Sequence, residues 1–375
     1  MSFITGAIAW SGHTFTIAFS LVLFPLLSFL QRRTEAFAAA AAYYAGSTWP
    51  VVPGAAVFFG THAGVIEGMV VWILGSCTLA IPFGLLWSKN RQQNLWRYPL
   101  AVIMTAIPPL GILNVGSPLT AAGVLFPGTN WFGLIVTLAI CGLLATYPAR
   151  TSSIVIATAL VLNLNYHVIQ APNTWQAVDT SFGGAGINTP SPVEDFQSAM
   201  WIQDRIRSSS AKVLIFPENA VYRWNDSTDF FWQETFSQMQ QEKKTLLIGA
   251  GMTPLGGRGY LNTIVVRGED QQTPYFQRIP IPVGMWRPFY DDGVPLYPFG
   301  RSTFTVAGQR VAPLVCYEQL LIWPVVTSLV YRPTIIIGFS NEYWARDTYI
   351  PEIQRSAVAA WARLFSIPYM LAVNR

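Results

Sequence analysis

The second half of this 375-residue sequence contains no histidine. The three histidines, His13, His62 and His167, all lie in the first 170 residues. Serine–histidine and cysteine–histidine nucleophilic schemes need an imidazole base within hydrogen-bond reach, so both are excluded for the second half. The sequence also lacks paired histidines, CxxC motifs and a glycine-rich phosphate loop that leads into a helix. These absences predict a protein with no metal and no cofactor.

Charged residues are scarce as well, at 11% of the chain against 52% hydrophobic residues. About a quarter of the residues in a soluble domain are charged, so this composition is typical of a membrane protein. The charges are unevenly divided, because the first 170 residues contain six of the 23 basic and two of the 19 acidic residues. The sequence therefore predicts an α-helical membrane domain over 1–170 and a globular domain over 171–375.

The first domain contains six stretches that approach the roughly 20 apolar residues needed to cross a bilayer. The predicted spans are 12–30, 36–60, 64–87, 98–116, 131–148 and 152–169. Five or seven spans are alternatives, and Pro50 predicts a break in the second span. Buried helices of a large soluble protein are a further alternative, but too little polar surface remains to cover them. The pattern favours a multi-span helical bundle.

The basic residues of the first domain predict its orientation. All six fall between alternate spans, in 31–35, 88–97 and 149–151. By the positive-inside rule these connections are cytoplasmic. The prediction is a multi-pass protein of a bacterial inner membrane with the second domain in the periplasm.

The second domain alternates strand and helix patterns. Short apolar runs bounded by glycine, proline or polar residues predict buried strands, at Val213–Phe216, Leu246–Gly249, Thr263–Val266, Val311–Val315, Thr334–Ile337 and Tyr369–Val373. Helical periodicity predicts helices over 193–208, 229–243 and 352–366. This alternation favours an α/β domain with buried sheets over a β-sandwich.

Cys316 is the only cysteine of the second domain, so no disulfide framework is possible there. It lies at the end of an apolar run, LVCYEQL, and has two interpretations: a small buried hydrophobe or a nucleophile. Without a histidine, a nucleophilic Cys316 needs a carboxylate as its base and a nearby cation that favours the thiolate and an oxyanion. The candidate carboxylates at strand ends are Glu218, Glu318 and Glu342.

Four motifs in order resemble the nitrilase, or carbon–nitrogen hydrolase, superfamily: FPENA, YFQRIPIPVGMWRP, VCYEQL and GFSNEYWARD. Within it the sequence is most similar to the apolipoprotein N-acyltransferase branch, whose catalytic domain follows a bundle of membrane spans, and to relatives in plasmid conjugal-transfer operons. The resemblance covers about 190–375 and the general character of the first domain. It implies a nitrilase-like α-β-β-α sandwich, here expected to be short at its C-terminal end, after Arg375, relative to the family.

Residue by residue, the resemblance implies that Glu218 is the general base and Cys316 the nucleophile. It implies that the backbone N–H of Tyr317 is an oxyanion-hole donor and that Glu318 supports the site behind the cysteine. The residues expected to line the substrate pocket are Asn341, Trp344, Trp286 and Met285.

A site of this kind would take a fatty acyl group from a membrane phospholipid as a thioester and pass it to an amine. In a conjugal-transfer setting the acceptor would be a lipoprotein or a pilus component. The expected protein is a monomer in the membrane without a nucleic-acid partner.

Two positions depart from the family pattern. The family's lysine aligns with Gln277, and the glutamate of another family motif aligns with Met285. Arg278 lies one residue along, and neighbours in an extended segment point to opposite faces, so it could replace the lysine only through a bulge or a slipped register. Without a cation the oxyanion loses a stabilising interaction. Two hypotheses follow: an acyltransferase or amidase-like enzyme that uses Cys316, or a catalytically weakened relative that serves as an envelope-side scaffold in conjugal transfer.

Overall fold

The computed structural model describes residues 1–59, 62–183, 190–254, 259–290 and 293–375. These residues form two compact units. The first consists of Met1–Ile169, Gln319–Val326 and Asp347–Ile367; the second consists of Gln170–Glu318, Thr327–Arg346 and Pro368–Arg375. Two short segments from the C-terminal half of the sequence therefore belong to the first unit.

The N-terminal part of the first unit is a series of helices. They are α1 Ser2–Ala9, α2 Leu23–Leu27, α3 Arg33–Thr48, α4 Val51–Phe59, α5 His62–Leu86, α6 Arg91–Ala106, α7 Ala122–Leu125, α8 Asn130–Thr146 and α9 Pro148–Leu164, with 3-10 helices at Thr14–Val22, Leu110–Ile112 and Pro118–Ala121. Proline accounts for several breaks, because it disfavours the helical conformation in the residue before it. Pro50 separates α3 from α4, as the sequence predicts, and Pro148 begins α9.

One helix among the described residues has the length and apolarity to cross a membrane, Gly64–Leu86 within α5, with a mean hydropathy of 2.0. The apolar helices Thr14–Leu27, Asn130–Thr146 and Pro148–Leu164 have 10–17 residues. At 1.5 Å per residue they span at most about 26 Å, against a hydrocarbon core of about 30 Å. The six predicted spans are therefore not confirmed, because breaks divide the apolar stretches into shorter helices. The predicted orientation stays a prediction.

The remaining helices are α10 Pro192–Ser208, α11 Asp226–Phe231 and α12 Gln233–Gln241 in the second unit, α13 Ile322–Leu329, which has residues in both units, and α14 Ile350–Phe365 in the first. Strands β1 to β5 form one sheet, in that order: Trp175–Ala177, Val213–Trp224, Thr245–Met252, Leu261–Gly268 and Gln272–Phe276. Strands β6 to β9 form a second sheet: Phe304–Val306, Gln309–Val315, Ile335–Asn341 and Tyr369–Asn374. Strands β1–β3 and β7–β9 run parallel, while β4, β5 and β6 pair antiparallel with their neighbours. Five of the six predicted strands lie within β2, β3, β4, β7 and β9, and the sixth, Thr334–Ile337, overlaps β8 from Ile335 onward.

The two sheets share one hydrophobic core. Val213 and Ile215 of β2 join Ile335 of β8 in that core, while Leu214 packs with Ile202 of α10 on the opposite face of β2. Successive side chains of a strand point to opposite faces, so a strand that is covered on both faces must be apolar throughout. The second unit is therefore α/β, as the sequence predicts. The fourth layer of the predicted α-β-β-α sandwich stays a prediction.

Candidate active site

Cys316 and Glu218, from different sheets, form a hydrogen bond between thiol and carboxyl group. Cys316 directly follows β7 and begins the 3-10 helix Cys316–Leu320, with a φ of 49°. The parallel strands β7 and β8 end at the same edge of their sheet, which brings Asn341 close. The backbone N–H of Asn341 donates to Glu218 Oε2 at 2.9 Å and also contacts the Cys316 sulfur. The predicted base and nucleophile are thus in contact, although their catalytic roles stay predictions.

Glu218 reaches the cysteine because β2 is irregular at this point. The register between β2 and β3 shifts within 216–221, and Asn219 has a φ of 55°, a conformation that asparagine tolerates better than most residues. Gly249 on β3 faces this segment, and a Cβ atom there would collide with the backbone at Glu218. The absence of a side chain at Gly249 therefore allows the strand to place Glu218 beside the sulfur.

The carboxylate of Glu218 is surrounded by hydrogen-bond donors. Asn262 Nδ2 donates to Oε1 at 2.5 Å, the N–H of Asn341 donates to Oε2, and the Cys316 thiol is the third partner. An ionised carboxylate is purely an acceptor, so these donors favour the charged form. Burial acts more strongly in the other direction and raises the pKa of Glu218 to about 7. A carboxyl group with this pKa can accept and return a proton near neutral pH.

The Cys316 thiol is held in its neutral form. Burial raises its pKa well above the ordinary value, and the negative charge of Glu218 raises it further. Glu342, a third carboxylate considered from the sequence, acts in the same direction. A thiolate at Cys316 therefore needs Glu218 to take the proton, whereas many reactive cysteines are activated by a neighbouring cation.

Gln277, at the position of the family's lysine, faces the cysteine side of the site. Its Nε2 donates to the carbonyl oxygen of Val315 at 3.1 Å, and its Oε1 accepts from Asn262 Nδ2 at 2.9 Å. Asn262 thus donates to both Gln277 and Glu218, which fixes the orientation of its amide, since both partner atoms are acceptors. Asn262 was not predicted as a site residue, because it immediately precedes a predicted strand and belongs to none of the four motifs.

Arg278 points away from Gln277, as alternation in an extended segment requires. Its guanidinium donates to Thr327 Oγ1 at 2.9 Å and Ser328 Oγ at 3.1 Å, and its Nε lies 3.5 Å from Glu318 Oε1. In the described part of the chain, none of its hydrogen bonds goes to Cys316. The side chains of Arg278 and Glu318 are 1% and 0% exposed. The structure therefore places this charge against a buried carboxylate, and not beside the sulfur as expected for a replacement of the lysine.

Glu318 joins two segments of the site through its carboxylate. Its Oε2 accepts from the backbone N–H of Val315 at 3.0 Å. Its Oε1 accepts from the N–H groups of Arg278 and Ile279 at 2.6 Å and 3.2 Å. Burial raises the pKa of Glu318, and the neighbouring Arg278 opposes that shift. One buried carboxylate thus fixes the backbone just before the cysteine to the backbone just after the Gln277 amide.

The other predicted site residues lie in turns. Tyr317 follows the cysteine in its 3-10 helix, and burial raises the pKa of its phenol. Trp344 is half-buried in a 3-10 turn shortly after β8. Met285 and Trp286 lie in a turn in which both backbone N–H groups donate to the carbonyl oxygen of Ile281. Their proposed places as oxyanion-hole donor and pocket wall stay predictions.

A cavity of about 560 Å³ lies beside the strand that carries Glu218. Asn219 and Tyr222 of β2 line it, together with aromatic side chains that include Trp201. Among the described residues, its charged lining side chains are Glu194 and Asp195. The cavity therefore presents carboxylates and aromatic rings, a chemistry that suits a cationic group.

Alkylation of Cys316 should follow the ionisation of Glu218. In a protein with Cys77→Ala and Cys141→Ala, the rate with iodoacetamide should rise about tenfold per pH unit below pH 7 and flatten above it. The reason is that the raised pKa of Glu218, about 7, leaves the proton-accepting carboxylate present above pH 7 and lost below it. With Glu218→Gln added, the rise in alkylation rate between acidic pH and pH 7 should disappear. Profiles centred near an ordinary thiol pKa of about 8.5 in both proteins would contradict the coupling.

No protein-family model matches the chain. The chain is 30% identical over 383 residues to the probable conjugal transfer protein TraB of Sinorhizobium fredii, with 100% of this chain and 96% of that protein covered. It is 24% identical over 353 residues to the apolipoprotein N-acyltransferase of Pseudomonas syringae pv. tomato, with 80% of this chain and 68% of that protein covered. These relatives confirm the resemblance to apolipoprotein N-acyltransferase. A solved carbon–nitrogen hydrolase from Helicobacter pylori overlaps 52% of this chain and 71% of its own, at 16% identity and a TM-score of 0.37.

Proposed function

The chain belongs to the TraB family of conjugal transfer proteins, and we propose that it moves a fatty acyl group from a membrane phospholipid to an amine through a thioester on Cys316. The observation that carries the proposal is the hydrogen bond between the buried thiol and Glu218. A pair of this kind supplies a nucleophile and its base without histidine. The similarity to apolipoprotein N-acyltransferase, whose name states acyl transfer to nitrogen, supports the reaction class.

In the first step Glu218 accepts the thiol proton as the Cys316 sulfur attacks the ester carbonyl of the phospholipid. The ester C–O bond breaks, and the leaving lysophospholipid oxygen takes the proton back from Glu218. The acyl group remains on sulfur as a thioester. The raised pKa of Glu218, about 7, suits both the acceptance and the return of this proton.

In the second step an amine attacks the thioester carbonyl and gives its proton to Glu218. The C–S bond breaks, the proton returns to the sulfur, and an amide is released. The cavity that borders β2 supports an amine as the acceptor, because its charged lining residues among those described are Glu194 and Asp195. A lipoprotein or a pilus component would fit a conjugal-transfer role.

The developing oxyanion would be stabilised by neutral donors in this site. We assign the backbone N–H of Tyr317 to that position, following the family pattern. Gln277 holds its amide nitrogen on the carbonyl oxygen of Val315, so the lysine of the family is replaced by an uncharged group. A charged donor stabilises an oxyanion more than a neutral one, and a slow first step is therefore expected.

A bacterial inner membrane is the proposed location, with the second unit in the periplasm. The helix Gly64–Leu86 supports membrane insertion. The basic residues between alternate apolar stretches support the orientation. A membrane location would give the site access to phospholipid, and a monomer is sufficient for the reaction.

The second candidate is an envelope-side scaffold in conjugal transfer. It is favoured by the neutral Gln277 in place of a lysine and by the raised pKa of the Cys316 thiol. In a scaffold this thiol would be a buried core side chain, and conjugal transfer would depend on the fold of the second unit alone.

Trapping of the thioester tests the proposal. Membranes that contain the protein are incubated at pH 8 with a phospholipid labelled in its acyl chain, and the protein is then examined for a label that hydroxylamine removes. The expected result is one labelled site at Cys316, with no label from a phospholipid labelled in its headgroup. Absence of the adduct from folded protein, while conjugal transfer continues, would favour the scaffold.

A further inference from the structure

The guanidinium of Arg363, on α14 in the first unit, contacts two aromatic rings. Its Cζ atom lies 5.1 Å from the ring centre of Phe15 and 4.7 Å from that of Tyr166. One edge of the guanidinium also makes two hydrogen bonds: Nε donates to the carbonyl oxygen of Gly123 at 3.3 Å, and Nη2 donates to Asn163 Oδ1. The orientation of the fork is therefore set by four neighbours, and the side chain is ordered before any ligand arrives.

The neighbours of Arg363 are themselves rigid. Asn163 donates its Nδ2 to the carbonyl oxygens of Val124 at 2.9 Å and Ala159 at 2.8 Å, so its Oδ1 must face the guanidinium. Gly123 lies so close to the backbone of Ala360 that a Cβ atom there would collide with it. This close approach holds α14 against α7 one turn before Arg363.

Arg363 has no acidic partner in the described part of the chain, whose ion pairs involve other residues. The side chain is half-buried, and a partly desolvated cation without a counter-ion is unfavourable unless a ligand supplies the charge. An arginine fork suits a phosphate or a carboxylate, because its N–H groups can donate in parallel to two oxygens.

The surface around Arg363 is apolar. Phe15, Leu160, Val161 and Leu164 are 62%, 60%, 60% and 83% exposed. Exposed apolar patches of this kind are typical of membrane or ligand contacts. Asn163 lies in the last turn of α9, Tyr166 follows two residues after its end, and Phe15 lies at the start of the 3-10 helix Thr14–Val22. In membrane proteins, cationic side chains near helix ends and beside an apolar surface are found at the depth of the lipid phosphates. Arg363 has these neighbours.

We infer that Arg363 binds the phosphodiester of a membrane phospholipid, whose acyl chains lie along the exposed apolar side chains of α9. A phosphodiester provides the missing charge and two oxygens for the fork, and the acyl chains cover the surface that water would otherwise contact. A free carboxylate or inorganic phosphate would satisfy the charge but leave the apolar surface exposed. The site belongs to the first unit and does not depend on the proposed chemistry at Cys316.

Binding of short-chain lipids tests this inference on the full chain purified in an uncharged detergent. The probes are dioctanoyl-phosphatidylglycerol, dioctanoylglycerol, which has the same chains without phosphate, and inorganic phosphate. Native mass spectrometry should show the phospholipid bound about ten to one hundred times more tightly than dioctanoylglycerol, the range expected for charge-assisted hydrogen bonds. Arg363→Gln should remove this preference, while Arg355→Gln, at an exposed position on the same helix, should keep it.

Arg363→Lys provides a second variant that retains the charge but lacks the planar fork, and it should bind the phospholipid several-fold more weakly than the wild type. Equal phospholipid preference in the wild type and both Arg363 variants would overturn the inference. Competition by inorganic phosphate at similar concentration would also overturn it, because the site would then recognise free phosphate and not a lipid.

Discussion

Cys316→Ala should lose the hydroxylamine-sensitive acyl adduct completely and reduce acyl transfer by about 10⁴-fold or more, a loss typical of removing a catalytic nucleophile. The change deletes one sulfur atom from a buried position, 3% exposed, and leaves Glu218 with its donors Asn262 and Asn341. We therefore expect the fold to survive, with thermal unfolding close to that of the wild type. Labelled phospholipid provides the chemical measurement, and plasmid transfer frequency provides the biological one.

The chain offers matched controls for this prediction. Cys141→Ala and Cys77→Ala remove the other two thiols, which lie in the first unit, and both should keep the adduct. A Cys316→Ala protein that is folded and present at normal levels but fails to support plasmid transfer would reject the scaffold. Normal transfer in Cys316→Ala and Glu218→Gln, with loss only when the second unit is deleted, would reject the enzyme.

Arg278→Ala should destabilise the protein by about 3–5 kcal/mol, the usual cost of leaving one member of a buried ion pair without its partner. It removes the cation that pairs with the fully buried carboxylate of Glu318, which is 0% exposed, and the hydrogen bonds to Thr327 and Ser328. Unfolding of the purified protein by heat or denaturant measures the effect. The exposed Arg301→Ala, which loses surface hydrogen bonds to Thr273 and Gln272, should change stability by less than about 1 kcal/mol.

A second variant separates structural support from direct catalysis at Arg278. Arg278→Met combined with Glu318→Gln removes both charges, and it should recover part of the stability lost in Arg278→Ala. Because Glu318 also fixes the backbone before Cys316, the alkylation rate at Cys316 should fall in Arg278→Ala together with stability. Unchanged stability with loss of the acyl adduct would mean that Arg278 acts at the reacting atoms, as a replacement for the family's lysine would.

The strands of the second unit were predictable because local patterns specify them. The run VLIF of β2 is apolar at every position, and both of its faces are covered, by a helical layer and by the second sheet. The strands that were missed, β1, β5 and β6, have three to five residues, too few for alternation to be recognised. The six predicted spans are not confirmed for a related reason, since an average of hydropathy along the sequence does not register breaks such as the one at Pro50, which separates α3 from α4.

The residues of the candidate site were likewise predictable only in part. Glu218 and Cys316 could be found because each lies in a motif, and the structure brings them into contact. The donors that complete the site come from pairing between distant segments: Asn262 reaches Glu218 across 44 positions, and the backbone of Asn341 reaches it across 123. Alternation along an extended segment predicts that Gln277 and Arg278 point to opposite faces. The partners of Arg278 depend on the positions of Glu318 and α13 in the folded chain, and a single sequence does not specify those positions.

A substitution at Gly249 would disturb the candidate site without changing any of its reacting groups. Its position leaves no room for a methyl group beside the backbone that carries Glu218. A mutant with Gly249→Ala would keep every reacting group and every motif by which the family resemblance was found. If a plasmid defective in transfer carried this substitution, the substitution would be taken for a neutral polymorphism, because it changes no motif residue. A suppressor search that starts from Gly249→Ala should return changes in the irregular segment of β2, where the displaced backbone can regain its position.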